Sequence, residues 1–289
     1  MRIATIVHQG RRRVGRVDAD AQGQSIALFE VDGTRGALAL IERTERSAWP
    51  ALGERVPLAG ATLLAPLPQP RRNLWCVGRN SHAHAKELRE TVFKNNQPEA
   101  WPIVFTKVPE CVVANGTDVV LPGAISTQID YEAELALVIG RGGRNIPRER
   151  ALSHVFGYTI VNDVTARDVQ MRHAQWDLGK SFDGFCPMGP WIVTADELDG
   201  RDTRVRCWVN GELRQDASTR DLIFDIPTLI ETCSRGITLL PGDVIATGTP
   251  AGVGMGMTPP RWLAHGDVVR IEIDGIGELR NRFVDEARA

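Results

Sequence analysis

The chain reads as a β-rich α+β protein, and three observations lead there. Its 289 residues include 28 glycines and 17 prolines, spread along the chain as turn punctuation. Short runs of β-type residues lie between them, and two of these runs lead into the hairpin dipeptides Asn210-Gly211 and Asp274-Gly275. Helix start and stop signals are few.

Residues 1–65 alternate as hairpins do and carry no obvious chemistry. The string Ala65-Pro66-Leu67-Pro68-Gln69-Pro70, followed by Arg71-Arg72, has the composition of a linker. It suggests a small β-rich N-terminal domain, residues 1–66, ahead of a body of residues 67–289. In the body a helix is expected to begin near Ser81, with Asn80 or Ser81 as its cap. Strand composition follows Tyr131, and residues 156–161 read as a buried strand. A second helix is expected near Thr165, because Thr165-Ala166-Arg167-Asp168 has the form of a capping box. Residues 205–208 run into Asn210-Gly211, a type I′ hairpin signal. The third helix covers residues 226–235, with Asp225 as cap, Pro227 near the first helical position and Gly236 just past the end. Pro241-Gly242 suits the centre of a type II turn before a strand at 243–247. Val268–Ile273 then leads to the second I′ signal, Asp274-Gly275. The sequence contains no internal repeat and no low-complexity tract.

Composition narrows the function. Lys and Arg total 34 against 36 Asp and Glu, a formal charge of −2, which argues against a nucleic-acid protein. No apolar run approaches the roughly 18 residues of a membrane span. The N-terminal apolar stretch is too short for a secretory signal. Five cysteines without a C-x-x-C pair exclude a zinc ribbon and fit a reduced, cytoplasmic chain. Of the 34 basic residues only Lys86, Lys94, Lys107 and Lys180 are lysine, so a compact ammonium is kept for few places.

The most informative stretch is Asp130-Tyr131-Glu132-Ala133-Glu134-Leu135-Ala136-Leu137-Val138. In a strand, side chains two apart share a face, roughly 6.6 Å along it. Glu132 and Glu134 therefore point the same way, against the apolar Ala136 and Val138. Buried carboxylates without a partner are very costly, so a cation must meet them. Asp163 ends the buried run at 156–161. With Thr165 read as the cap, Asp163 is free for other work. Three hard oxygen donors suit Mg²⁺, Mn²⁺ or Ca²⁺; solvated edge glutamates or an arginine pair are the other readings of the pattern.

Three further segments stand out. In Gly78-Arg79-Asn80-Ser81-His82-Ala83-His84-Ala85-Lys86-Glu87, His84 and Glu87 are three apart and share a helical face. A carboxylate beside an imidazole orients it and raises its basicity; an incidental pair on a solvent-exposed helix start is the alternative. Lys180 sits in Gly179-Lys180-Ser181-Phe182-Asp183. Thr247-Gly248-Thr249-Pro250-Ala251-Gly252-Val253-Gly254 lacks both phosphate-loop and dinucleotide spacing, so its hydroxyl and N–H groups are better suited to a carboxylate.

Taken in order, Glu132-x-Glu134, the segment 161–168 around Asp163, Gly179-Lys180-Ser181-Phe182-Asp183 and the 247–254 loop resemble the fumarylacetoacetate hydrolase superfamily, from about residue 70 to the C-terminus. Within it, the chain resembles the acylpyruvase and 2-hydroxyhepta-2,4-diene-1,7-dioate isomerase branch. The resemblance implies a β-rich mixed roll or barrel with flanking helices, and Glu132, Glu134 and Asp163 as ligands of Mg²⁺ or Mn²⁺. It implies His84, oriented by Glu87, as a general base on a mobile lid, and Lys180 at the metal centre holding a substrate oxygen. Arg167, Gln170, Thr249 and Lys107 would bind substrate, although Lys107 also reads as an ordinary strand-end lysine and Arg167 as a partner of Glu132 or Glu134. Trp101, Trp176 and Met255 are candidates to shape the pocket. Ser81 departs from the family pattern, which commonly has Tyr there. The implied activity is hydrolysis of a carbon–carbon bond in an acylpyruvate-type 2,4-dioxo acid, of the kind met in aromatic-compound catabolism. Decarboxylase, isomerase or hydratase chemistry at the same site is the alternative, and a non-catalytic binding protein is a remote one. The implied partners are a small anionic 2-oxo acid and a second copy of the chain.

Overall fold

A computed structural model describes residues 1–20, 23–43, 45–91 and 100–286, and it is strand-rich mixed α+β. Lys94 lies outside the described residues. Among the described residues, three sheets account for the strands. The largest has twelve strands and is open. Its middle runs Arg2–His8, Cys186–Thr194, Val155–Asn162, Ala133–Ile139, Val244–Ala246, Leu74–Gly78, all antiparallel neighbours except the last pair, which is parallel. A five-stranded sheet, with Arg204–Val209 and Val268–Ile273 at its centre, packs beside it.

Strand Ala133–Ile139 shows how the layers are built. All seven residues are buried, as expected of a strand covered on both faces. Ala133, Leu135, Leu137 and Ile139 pack into the core shared with Val269 and Ile271 of the five-stranded sheet. Ala136 and Val138 face the other way, into a core with Ile3, Val14 and Leu38. That second core ties the N-terminal strands to the body. Its continuity follows from the pairing of Arg2 with Val193 and Ile3 with Ile192.

The Pro-rich string joins the two parts of the chain, but it is packed and does not span free space. Ala65 and Leu67 are buried, and the Pro66 carbonyl accepts from the Thr5 hydroxyl and from the Ala37 N–H. Apolar side chains at 65 and 67 gain more from that burial than a solvated linker would allow.

Several turns follow the sequence closely. Asn210 and Gly211 both have positive φ, 52° and 84°, as a two-residue I′ hairpin requires. Asp225 caps helix Ile226–Ser234 through the Thr228 N–H. Gly242 has φ 89° and Asp243 N–H donates to Leu240 O, the type II geometry. Other expectations fail. The connection between Val268–Ile273 and Gly277–Asp285 has three residues, 274–276, so it is not a two-residue I′ turn. Thr165 is not a helix cap: with Ala166 it forms a short strand paired to Ile129–Asp130. The helix begins at Arg167 without a side-chain cap, and Asp168 instead accepts from Ser126. Backbone pairing has overridden a local motif. Helix His82–Thr91 starts where expected, yet the Asn80 amide is bonded to Phe224 and Thr247, away from the helix end. No helix of the described residues is long and apolar enough to cross a membrane.

Candidate active site

The three carboxylates meet because two antiparallel strands end together. Ala133 pairs with Asn162, and Asp163 N–H donates to Glu132 O at 2.8 Å, so Glu132 and Asp163 lie side by side. Glu134, two residues on, shares their side. Ligand oxygens of Glu132, Glu134 and Asp163 come within 4.8 Å of one another, and all three side chains are buried.

Fixed cations surround two of them. Lys180 Nζ lies 2.7 Å from Glu132 Oε2 and 2.7 Å from Asp163 Oδ2. Arg167 Nη2 lies 2.7 Å from Glu132 Oε1 and 2.8 Å from Asp130 Oδ2. Lys107 Nζ lies 2.8 Å from Asp163 Oδ1. Glu134 has the Gly248 N–H at 2.8 Å and, among the described residues, no cation in ion-pair range. Among the described residues, Asp130, Glu132 and Asp163 are ion-paired to Arg167, Lys180 and Lys107, and Glu134 is ion-paired to none. The electrostatics follow from that difference. Burial pushes the Glu134 carboxyl well above its usual value, and the charges of Asp163 and Glu132 add to the effect. Burial also opposes ionisation of Glu132, but Lys180, Arg167 and His84 outweigh it and hold this carboxyl below the usual range. An oxygen-only donor set in which Glu134 has no ion-pair partner among the described residues fits a divalent cation.

Glu132 and Glu134 line a cavity whose wall also includes His84, Arg167, Gln170, Lys180 and Thr249. His84 Nδ1 is 3.1 Å from Glu87 Oε2, which leaves the other ring nitrogen for the cavity. Lys180 Nζ stands 4.9 Å from the centre of the Phe105 ring. Thr249 Oγ1 accepts from Gln215 Nε2 at 2.7 Å, so its own hydrogen is free to donate elsewhere. Gln170 Oε1 accepts from Arg167 Nη1. Trp176 and Met255 line the cavity as anticipated; Trp101 does not, and is half exposed beside Arg235.

Two expectations change. Lys107 is fully buried behind Asp163 and is not part of the cavity wall. Its ammonium also donates to the carbonyls of Val164 and Lys180. Burial works to deprotonate it, and the Asp163 charge overcomes this and holds its pKa above the usual lysine value. The 247–254 loop was expected to offer its N–H groups to a substrate. Three of them are instead committed to the protein's own acids: Gly248 to Glu134, Gly252 to Glu87, and Gly254 to Asp130. Gly252 has φ 102° and abuts the Arg214 backbone, so a side chain there is excluded on both counts.

Asp130, Phe105 and Gln215 were not singled out from the sequence. Asp130 was within reach, since the two-residue alternation that pairs Glu132 with Glu134 extends back to it. Phe105 and Gln215 carry no local signal, because each meets the site only through sheet pairing.

Comparison with known proteins fits this geometry. The family model for the fumarylacetoacetate (FAA) hydrolase C-terminal domain matches residues 73–284. The chain belongs to that family. Oxaloacetate tautomerase YisK of Bacillus subtilis (strain 168) is 50% identical over 227 residues, 78% of this chain and 74% of the relative. The structure of a fumarylacetoacetate hydrolase from psychrophilic Exiguobacterium antarcticum is 41% identical with a TM-score of 0.86, covering 99% of this chain and all of that one. Maleylpyruvate hydrolase from Sphingobium sp. SYK-6, solved with manganese(II) and pyruvate, is 34% identical with a TM-score of 0.78 over 99% of both chains. Members of this enzyme superfamily thus carry out tautomerisation and hydrolysis. The buried acidic triad, together with a manganese-bound neighbour, is consistent with a divalent metal in this chain.

Proposed function

We propose that this protein is a divalent-metal-dependent enzyme that forms and reprotonates the enolate of a small 2-oxo diacid, acting as a tautomerase of the oxaloacetate type. The observation that carries this is His84, paired to Glu87, on the wall of a cavity that Glu132, Glu134 and Lys180 also line, with Asp163 beside Glu132. Moving one proton between carbon and oxygen needs one acid–base group and a cationic place for the developing charge. The 50% identity to a tautomerase supports the same choice.

Glu132, Glu134 and Asp163 would hold the cation, with Mg²⁺ or Mn²⁺ the natural choices for oxygen donors. When bound, it would supply Lewis-acid stabilisation of negative oxygen on the substrate. His84, held through Nδ1 by Glu87, takes the proton from C3 of the 2-oxo acid and delivers it to the enolate oxygen at C2, or runs the two transfers in reverse. Lys180 places positive charge beside the enolate oxygen. Thr249 Oγ1 and the Gln170 amide donate to the substrate carboxylate and fix which face of C3 His84 meets.

A second reading keeps the same groups. If His84 deprotonates a water instead of a carbon acid, the site hydrolyses the C–C bond of an acylpyruvate, and its likeness to maleylpyruvate hydrolase favours that outcome. An absorbance assay with Mn²⁺ separates the two. Loss of oxaloacetate enol without pyruvate release supports the tautomerase. Pyruvate and a carboxylic acid released from an acylpyruvate support the hydrolase. No turnover of either substrate sinks both.

A further inference from the structure

Arg167 is shared between two acids, and one of them is far better fixed than the other. Asp130 is fully buried. Its Oδ2 accepts from Arg167 Nε at 2.9 Å and from Met255 N–H at 3.0 Å. Its Oδ1 accepts from Gly254 N–H at 2.7 Å and from its own neighbour Tyr131 N–H at 2.9 Å. The short strand Ile129–Asp130, paired with Thr165–Ala166, sets this carboxylate beside the start of the arginine's helix. The Glu132 side chain, by contrast, is held among the described residues by two cations, Arg167 on one oxygen and Lys180 on the other.

The difference matters when a cation arrives. A divalent ion taking Glu132 would weaken the hold of Arg167 on that carboxylate. A guanidinium left buried without a counter-charge is strongly destabilising, so an arginine paired to Glu132 alone would resist the exchange. Asp130 removes that obstacle, because Nε and Nη2 both keep a carboxylate after Glu132 is given up.

We propose that Asp130 is a positioning residue that holds Arg167 so that Glu132 can be ceded to a divalent cation. It acts through Arg167 and touches neither the cation nor the substrate. The proposal rests on the cation site described above, and binding of Mn²⁺ by the unaltered protein tests that premise by itself.

The experiment is Mn²⁺ titration, followed calorimetrically without substrate, of the wild type, Asp130→Asn, Arg167→Met and the double variant. Asp130→Asn is expected to weaken Mn²⁺ binding by about tenfold or more, the range for groups that orient a metal ligand. Arg167→Met, which removes the guanidinium from Glu132, binds Mn²⁺ at least as tightly as wild type. The double variant returns to within about threefold of Arg167→Met, the non-additivity expected when one residue acts through the other. Wild-type affinity in Asp130→Asn overturns the proposal. A double variant as weak as Asp130→Asn overturns it too, since the loss then does not pass through Arg167; collapse of the fold gives this same result. If the wild type binds no Mn²⁺, the cation premise is what fails, and the proposal falls with it.

Discussion

Lys180 Nζ lies midway between Glu132 and Asp163, 2.7 Å from an oxygen of each. One ammonium thus separates two buried acids that would otherwise repel across a few ångströms. In Lys180→Met that separation is lost. The metal-free variant is expected to lose about 3–5 kcal/mol of stability, the usual consequence of removing one partner of a buried ion pair. Mn²⁺ recovers part of the loss by supplying the missing charge. Urea unfolding with and without Mn²⁺ checks this; a variant whose stability ignores the metal contradicts it.

Glu134 gives a pH-dependent prediction. Its carboxyl is raised in the folded protein by burial and by the charges of Asp163 and Glu132. The unfolded chain therefore releases this proton first, near the ordinary value of about 4.3, and the metal-free fold loses stability as pH rises from there towards the raised folded value. Glu134→Gln has no such ionisation. In EDTA it is expected to be more stable than wild type at pH 8 by about 1 kcal/mol or more, and to gain little at pH 4. It also fails to take up Mn²⁺. Thermal melts at the two pH values and one metal titration decide the matter; retained Mn²⁺ stoichiometry would falsify the ligand assignment.

His84 and Glu87 are expected to separate by degree. His84→Ala removes the imidazole from the cavity wall, and kcat falls by about 10²–10⁴ while Mn²⁺ affinity stays put. Glu87→Gln leaves the ring but weakens its orientation and its contact with the Gly252 N–H. Its loss is the smaller of the two. The reverse order in kcat counts against His84 as the group that moves the proton.

Ser81 tests a quieter feature. Its hydroxyl is buried without a hydrogen-bond partner among the described residues, beside a small cavity that Thr247 and Gly248 also line. An unbonded buried hydroxyl costs on the order of 1–3 kcal/mol, so Ser81→Ala is expected to be neutral or to stabilise. A melting temperature that falls by several degrees shows instead that the hydroxyl is satisfied by water.

Much of this site was legible because it is local. Glu132 and Glu134 share a strand face, His84 and Glu87 share a helix turn, and Asp225, Gly242 and Asn210-Gly211 mark ends and turns within a few residues of themselves. What could not be read was set by pairing over long separations. Thr165 looks like a helix cap until Ile129–Asp130 claims its backbone. Lys107 looks like a ligand of the substrate until the sheet carries its side chain behind Asp163. The Pro-rich string looks like a free connector until Thr5 and Ala37 bond to Pro66. In each case a weak local preference gave way to a tertiary contact that buries more surface or satisfies more polar groups.

The loop between Thr247 and Met255 has a consequence beyond geometry. Four of its amides, those of Gly248, Gly252, Gly254 and Met255, end on the carboxylates of Glu134, Glu87 and Asp130. A change of charge or position at any of these acids alters how long those amide hydrogens survive exchange with solvent. The loop is therefore a built-in gauge. Hydrogen exchange at four backbone positions reports separately on Glu134, on Glu87 beside His84 and on Asp130, before any substrate has been identified.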